Sequence, residues 1–359
     1  ILKDGVPEGF FNCTNSAVSS VSGFCNPNSN TLSRVSGITR DLNGNLWVSM
    51  DRGLPPLVVQ NPEGEWFEAA PNLFPVTAEE NHITDLIVDS YGTVWMVNWN
   101  RNLYAYTSNG TPFEYSDGRL LNFGRGLNQG GLPSDQVFTV AEDKRGFIWV
   151  GTAQGVSIIF DPFSVSQGQI VDGSEPVIEN RGLLSNTSVN AIAIDGGNRK
   201  WIGTDDGAYL VSENGDQVLF EFTTDNSPLL ANRVTDIAID QGSGEVYFAT
   251  TKGIISYQGD AVLANSGCDE VLVYPNPVFT DYDGLIGIKG MTAGSIVKIT
   301  TLSGSLVTEL ESQGGLATWD GRDNRGRKVR SGVYLTLIAG PNGEEGCTGK
   351  FVVIDRQGQ

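Results

Sequence analysis

Few residues in this chain could do chemistry. There is one histidine, His82, at the start of an apolar strand pattern. No Ser/His/Asp pairing, G-x-S-x-G elbow or phosphate-cradling loop accompanies it. Asp281 and Asp283, and Asp320 and Asp323, form short acidic pairs with neighbouring glycines. They lack the ligand number of a calcium loop, so turn structure is the better reading. A carboxylate pair for glycoside cleavage would depend on a spacing in space that sequence does not give. The densest positive stretch is Arg322, Arg325, Arg327, Lys328 and Arg330. On a hairpin, alternate members project to one face, so Arg325 and Arg327 could meet a phosphate or an anionic sugar together. The competing reading is a solvated turn. No metal site, cofactor or catalytic residue is expected.

Four cysteines occur, Cys13 and Cys25 near one end and Cys268 and Cys347 near the other. An even count without C-x-x-C fits two disulfides better than zinc. The preferred pairing, Cys13–Cys25 with Cys268–Cys347, is one of three connectivities, and four free thiols are the alternative. Disulfides would place the protein in an oxidising, exported setting.

The elements that must position these groups read as strands. Of 359 residues, 45 are glycine and only 18 % are charged. That is the composition of a turn-dense β-protein rather than a coiled coil or a disordered chain. The formal charge is −19, so nucleic acid is not an expected partner. The charge is uneven: residues 1–267 carry 14 Lys/Arg against 31 Asp/Glu, and residues 268–359 carry 9 against 11.

One pattern recurs five times. An alternating strand ends in Asp, a turn follows, and an aromatic leads the next strand. The Asp anchors are Asp41, Asp89, Asp143, Asp195 and Asp240; the aromatics are Trp47, Trp95, Trp149, Trp201 and Tyr247. The spacings of 48, 54, 52 and 45 residues leave room for four short strands, the size of one propeller blade. A lone four-stranded sheet cannot bury both faces, whereas stacked blades can. The aromatic is then packing between blades, and the Asp ties turn N–H groups. Small-residue hairpins follow the later aromatics, such as Gly151-Thr152-Ala153-Gln154-Gly155. Hairpin tips on one propeller face would carry Arg52, Trp99, Arg101, Gln154, Asp205 and Lys252. An exposed Trp99 beside Arg101 suits a sugar bearing an anionic group. His82 aligns with Arg34, Gln136, Ser188 and Arg233, a variable rim position rather than a catalytic base.

The chain begins at Ile1 without Met or a leader, which reads as a mature form or a fragment. Residues 1–11 resemble the outer hairpin of a blade. Either they close a five-bladed ring as a strap or blades precede them, and the second is preferred. After a short linker, six or seven apolar runs separated by turns predict a β-sandwich. The expected fold is therefore all-β. A β-propeller with five recognisable four-stranded blades, alone or as part of a larger ring, fills residues 1–260. A linker follows at 261–267, then an Ig-like β-sandwich at 268–359.

Two resemblances add function. Leu132-Pro133-Ser134-Asp135-Gln136-Val137, with Asp143-x-x-Gly146-x-x-Trp149-Val150-Gly151-Thr152, resembles the repeats of two-component-regulator propellers. The C-terminal region has Tyr274-Pro275-Asn276-Pro277, Trp319-Asp320-Gly321, Ser331-Gly332-Val333-Tyr334 and Gly349-Lys350-Phe351 in order. It is similar to the sorting domain of type IX secretion cargo. The combination resembles a family of surface proteins that deliver anionic lipopolysaccharide in the type IX attachment complex. That resemblance implies export through the periplasm to the cell surface at the outer membrane. It implies anionic lipopolysaccharide, a PorU-like sortase, other attachment-complex proteins and the outer-membrane translocon as partners. It implies no enzyme activity of the chain itself. Alternatives are ordinary type IX cargo with a glycan-binding or adhesive propeller, a ligand-sensing receptor propeller, and a propeller lyase or glycosidase.

Overall fold

The structure, a computed structural model, describes residues 2–3, 6–7, 16, 18, 34–52, 55–69, 82–99, 102–108, 113, 118–264, 271–340 and 346–355. The chain divides into two compact units, Ile1–Ile192 with Ile202–Asp236, and Ala193–Trp201 with Ile237–Gln359. Both are built from small antiparallel sheets, as an alternating, glycine-punctuated sequence requires. No helix among the described residues is long and apolar enough to cross a membrane.

Each of the five repeats is a sheet in meander order. The first runs Val35–Arg40, Leu46–Met50, Leu57–Gln60 and Trp66–Ala69. The second runs Ile83–Val88, Val94–Asn98, Leu103–Thr107 and Arg119–Phe123. The third has three strands, Val137–Glu142, Ile148–Thr152 and Gly155–Ile159. An isolated bridge from Ile158 to Ser174 borders it where a fourth strand would lie. The intervening chain forms a short helix, Pro162–Ser166, capped by Asp161. The fourth sheet has four strands, Val189–Ile194, Lys200–Thr204, Ala208–Val211 and Val218–Phe222. The fifth has three, Val234–Ile239, Glu245–Thr250 and Gly253–Gln258, as a repeat that stops after Ile254–Tyr257 without an outermost strand would have.

The recurrent Asp and aromatic form one device. Asp89 Oδ1 accepts N–H bonds from Tyr91 and Thr93 at 2.9 and 2.8 Å, closing the turn. Its Oδ2 accepts the indole N–H of Trp95 at 2.8 Å. The same indole bond joins Trp47 to Asp41 at 3.0 Å and Trp149 to Asp143 at 3.1 Å. The six-residue spacing thus lets one carboxylate close a turn and orient the ring that packs against the next blade. Trp47 meets Tyr106 of the second sheet edge-on at 6.4 Å, and Trp95, which meets Phe123 of its own sheet at 5.3 Å, shares a buried cluster with Val137 and Ile148 of the third. In the fourth repeat Arg199 takes the indole's place, donating Nε to Asp195 Oδ2 at 2.8 Å.

The C-terminal sandwich has a three-stranded sheet, Leu272–Tyr274, Ile286–Lys289 and Leu316–Trp319. Facing it are five strands in the order Val278–Phe279, Cys347–Ile354, Gly332–Ala339, Ile296–Thr301 and Leu306–Glu311. Both sheets feed one core that includes Ile288, Val297, Ile299, Trp319 and Phe351. Trp319 and Phe351 meet edge-on at 5.8 Å. The sequence patterns locate six of these eight strands; Val278–Phe279 and Leu316–Trp319 lie outside them, the first being two residues long and the second short and preceded by two glycines.

Where the sequence predicts a plain linker, Ala261 and Val262 are buried at 2 % and 5 % exposure. Val262 forms a parallel bridge with Gly314 of the sandwich, and its carbonyl accepts the Gly315 N–H at 2.9 Å. Leu263 donates its N–H to the Gln241 carbonyl at 2.8 Å. Cys347 is disulfide-bonded. Cys13, Cys25 and Cys268, and hence its partner, lie outside the described residues.

Candidate functional site

Two groups of side chains stand where the sequence places a ligand face. In the first, Asp51 sits on the tip of the first blade. It accepts bonds from Arg34 Nη1 at 3.4 Å and faces His82 Nδ1 at 3.0 Å. The His82 ring meets Trp99 edge-on at 6.4 Å, and Trp99 is half exposed. Backbone bonds hold these tips in register: Asp51 N–H to the Arg34 carbonyl at 2.8 Å and Trp99 N–H to the His82 carbonyl at 2.8 Å. Arg52 is exposed in a left-handed conformation, φ 57°, pointing the chain through a tight turn. Arg101, the expected partner of Trp99, lies outside the described residues. The structure instead brings His82 and Asp51 to the indole, so His82 is a rim residue held by a carboxylate.

The later tips are closed by a threonine. Thr152 Oγ1 donates to the Gly155 carbonyl at 2.9 Å and accepts the Gln154 N–H at 3.1 Å. Thr204 and Thr250 repeat this in their own hairpins, with Asp206 and Lys252 as the residues whose N–H is held. Gln154 and Lys252 are exposed. Asp205 is engaged: Asn190 Nδ2 donates to it at 2.9 Å and Arg233 Nε lies 3.3 Å away. Arg34 and Arg233 were read only as rim equivalents of His82. Arg34 pairs with Asp51 of its own blade, and Arg233 pairs with Asp205 of the preceding repeat.

The second group is the basic stretch on the sandwich. Arg327 donates Nε and Nη2 to Asp323 Oδ2 at 3.0 and 2.7 Å. That pairing, with N–H bonds from Arg327 and Arg325, holds the Asp323 carboxyl down at about 2. Lys328 bonds Asp283, which lowers that carboxyl too. Arg322 donates to the Gly326 carbonyl at 3.0 Å and lies 3.8 Å from Asp320. The guanidinium groups of Arg325 and Arg330 are exposed and have no counter-ion among the described residues. Of the two arginines expected to act together, Arg327 is engaged inside its own turn by Asp323, whereas Arg325 is not.

A titration checks this assignment. Asp323 has a folded pKa below its ordinary value of 3.8, so its contribution is present above 3.8 and is lost as pH falls through about 2. In Arg327→Ala, an NMR titration should move the Asp323 midpoint up toward 3.8. An unmoved midpoint would mean that another group holds the carboxylate.

The motif residues of the sandwich are woven into its frame. The Tyr274–Pro275 and Asn276–Pro277 bonds are cis. Asn276 Oδ1 accepts the Val352 N–H at 3.1 Å, tying this turn to the last strand. Trp319 is buried and donates Nε1 to the Arg322 carbonyl at 2.8 Å, seating the basic hairpin. Gly349 faces Thr336 across the sheet, and Lys350, beside it, is exposed. Asp281 and Asp283 form no metal cage. Among the described residues, no group of three or more His, Cys, Asp or Glu could hold a metal ion.

Repeats of this design, with one carboxylate closing a turn and orienting a tryptophan, make a β-propeller fold followed by a β-sandwich. Residues 131–154 match the family model for the two component regulator propeller. Over 98 % of its length the chain is similar to PorZ, described as an essential bacterial surface component of the type-IX secretion system of Porphyromonas gingivalis. The identity is 27 % and the TM-score 0.64. The chain spans 48 % of that PorZ chain. The extracellular domain of a hybrid two-component system from B. thetaiotaomicron is 14 % identical, with 91 % of this chain and 56 % of that chain covered and a TM-score of 0.44. A gluconolactonase from Xanthomonas campestris is 13 % identical, with 62 % and 71 % covered and a TM-score of 0.40. No curated protein matches the sequence.

Proposed function

We propose that the chain is part of a non-enzymatic cell-surface component of the type IX secretion attachment complex. In this reading it binds anionic lipopolysaccharide and presents it to a PorU-like sortase, beside the outer-membrane translocon. The observation that carries the proposal is the similarity to PorZ along nearly the whole chain, sandwich included. The sandwich hairpin supplies a chemical reason. Arg325 and Arg330 offer two uncompensated guanidiniums, each able to fork onto a phosphate or carboxylate. The surrounding Asp–Arg and Asp–Lys pairs fix the hairpin and keep the other cations from competing.

The test is binding of purified anionic lipopolysaccharide to the whole chain. Arg325→Glu with Arg330→Glu should weaken it at least tenfold, and raising salt from 50 to 200 mM (chosen to shorten the screening length) should weaken the wild type too. Trp99→Ala should have a smaller effect. Binding that survives the double charge reversal unchanged would remove the hairpin from the function.

A further inference from the structure

A cavity of about 280 Å³ opens in the propeller unit between the Asp turns of the first two blades. The end of the helix Pro162–Ser166, inserted in the third repeat, completes its wall. Neither the regulator repeat nor the sandwich motifs point to it. Asp41 and Trp47 form its floor, and Tyr91, Asn43 and Gln167 stand among its lining residues. Among the described residues, no Lys, Arg or His lines it.

The floor is electrostatically quiet. Asp41 Oδ1 accepts the N–H groups of Asn43 and Asn45, both at 2.9 Å. Its Oδ2 accepts Asn45 Nδ2 at 2.8 Å and Trp47 Nε1 at 3.0 Å. With four donors on two oxygens, this carboxylate has little left to offer a ligand. An anion would find no cation here, and a cation would find a carboxylate already occupied.

The rim has a different character. Tyr91 is 50 % exposed and Phe163 is 55 % exposed, and the two rings meet edge-on at 5.7 Å. Two half-exposed aromatics side by side are costly in water unless a surface is to be laid on them. Asn43 and Gln167 are exposed beside the tyrosine and bring amide donors and acceptors. Thr93, also a lining residue, is 1 % exposed, and its hydroxyl has no hydrogen-bond partner among the described residues. Buried hydroxyls are nearly always bonded, so this one can meet a polar group of a ligand.

We infer that this cavity binds one neutral pyranose ring. An aromatic face for the sugar C–H groups, amides for its hydroxyls and an absence of net charge fit that class. The volume lies at the lower end for ligand pockets, which suits a single ring rather than an oligosaccharide. The site is separate from the sandwich arginines and does not depend on the lipopolysaccharide reading.

Saturation-transfer NMR on the whole chain tests it, with methyl α-D-glucopyranoside, methyl α-D-galactopyranoside and N-acetylglucosamine as probes. At least one should receive saturation, with a Kd of about 1 mM. Tyr91→Ala should cut the effect at least fivefold, and so should Asn43→Ala with Gln167→Ala. The second variant changes only exposed amides, so it stays informative if Tyr91→Ala folds poorly. The Arg325→Glu, Arg330→Glu chain should bind the sugar like the wild type, which separates this site from the anionic one. Transfer to none of the three sugars, or equal transfer in wild type and both cavity variants, would overturn the inference.

Discussion

Trp95→Ala should lower the stability of the propeller unit by about 3–5 kcal/mol, the range for a buried large aromatic. Trp95 is fully buried at 0 % exposure, in a cluster with Phe123, Val137, Val140 and Ile148. It therefore joins the second blade to the third. Alanine removes the ring that fills this interface and the indole N–H held by Asp89 at 2.8 Å. Denaturant unfolding reads the loss directly. Trp99→Ala, which truncates a half-exposed ring, should change stability by only about 0.5 kcal/mol. A similar cost for both substitutions would contradict the assignment of Trp95 as blade glue.

Trp95→Phe isolates the carboxylate. Burial pushes the Asp89 carboxyl up despite its bonds to Trp95, Thr93 and Tyr91. Its folded pKa therefore lies above the unfolded value. Ionisation opposes folding, and stability should rise as pH falls from the folded value toward 3.8. Removing the indole donor takes away a contact that favours the charged form. The window in Trp95→Phe should then begin at a higher pH than in the wild type.

Gly314→Val should cost about 3 kcal/mol and disturb the segment that precedes the sandwich. Gly314 has φ +60°, where a branched residue is strained. A Cβ there would lie 2.1 Å from the Val262 carbonyl oxygen and 2.4 Å from that of Gly196. Both obstacles are backbone, so no side chain can swing away. Gly196 is equally confined, with a Cβ position 1.9 Å from the Val262 oxygen. Val262 therefore lies between two glycines, one in the turn of the fourth repeat and one in the sandwich. Around it, Gln241 Nε2 donates to the Ile194 carbonyl at 2.7 Å, and Arg199 bonds both Asp195 and Asp260. Hydrogen exchange of the Gly315 N–H, bonded to the Val262 carbonyl, should quicken along with the fall in the unfolding midpoint. An unchanged midpoint would mean that Val262 does not fix the segment.

Much of this architecture was legible because it repeats. Strict alternation before each Asp, and an aromatic six residues after four of them, mark the first two strands of every blade. The partner of the indole was hidden, since a hydrogen bond leaves no periodicity of its own. The fourth repeat shows the limit of the pattern. Its Asp-x5-Trp spacing is intact, yet Arg199 reaches Asp195 Oδ2 where an indole stands elsewhere. The missing fourth strand of the third repeat was illegible for a related reason: residues 160–173 insert a helix that, among the described residues, no other repeat contains. The cavity wall comes from that insertion and so had no signature in the shared motif. On the sandwich, the arginine stretch was plain from composition. Which arginines remain available depends on Asp323 and Asp283, and only folding brings Asp283 to Lys328. Within the short linker, the close packing of Val262 was not legible because small residues permit close backbone approach as readily as flexibility.

On the proposed function, the chain works at the surface with its sandwich retained, rather than as cargo from which the sandwich is removed. The direct measurement is the intact mass of the native protein recovered from the cell surface, with the C-terminal sequence read by mass spectrometry. The account predicts a polypeptide that still contains the strand Cys347–Ile354 and carries no glycan on the segment before Leu272. A product that ends within residues 261–271 with lipopolysaccharide joined to its new terminus would contradict it and return the function to the propeller.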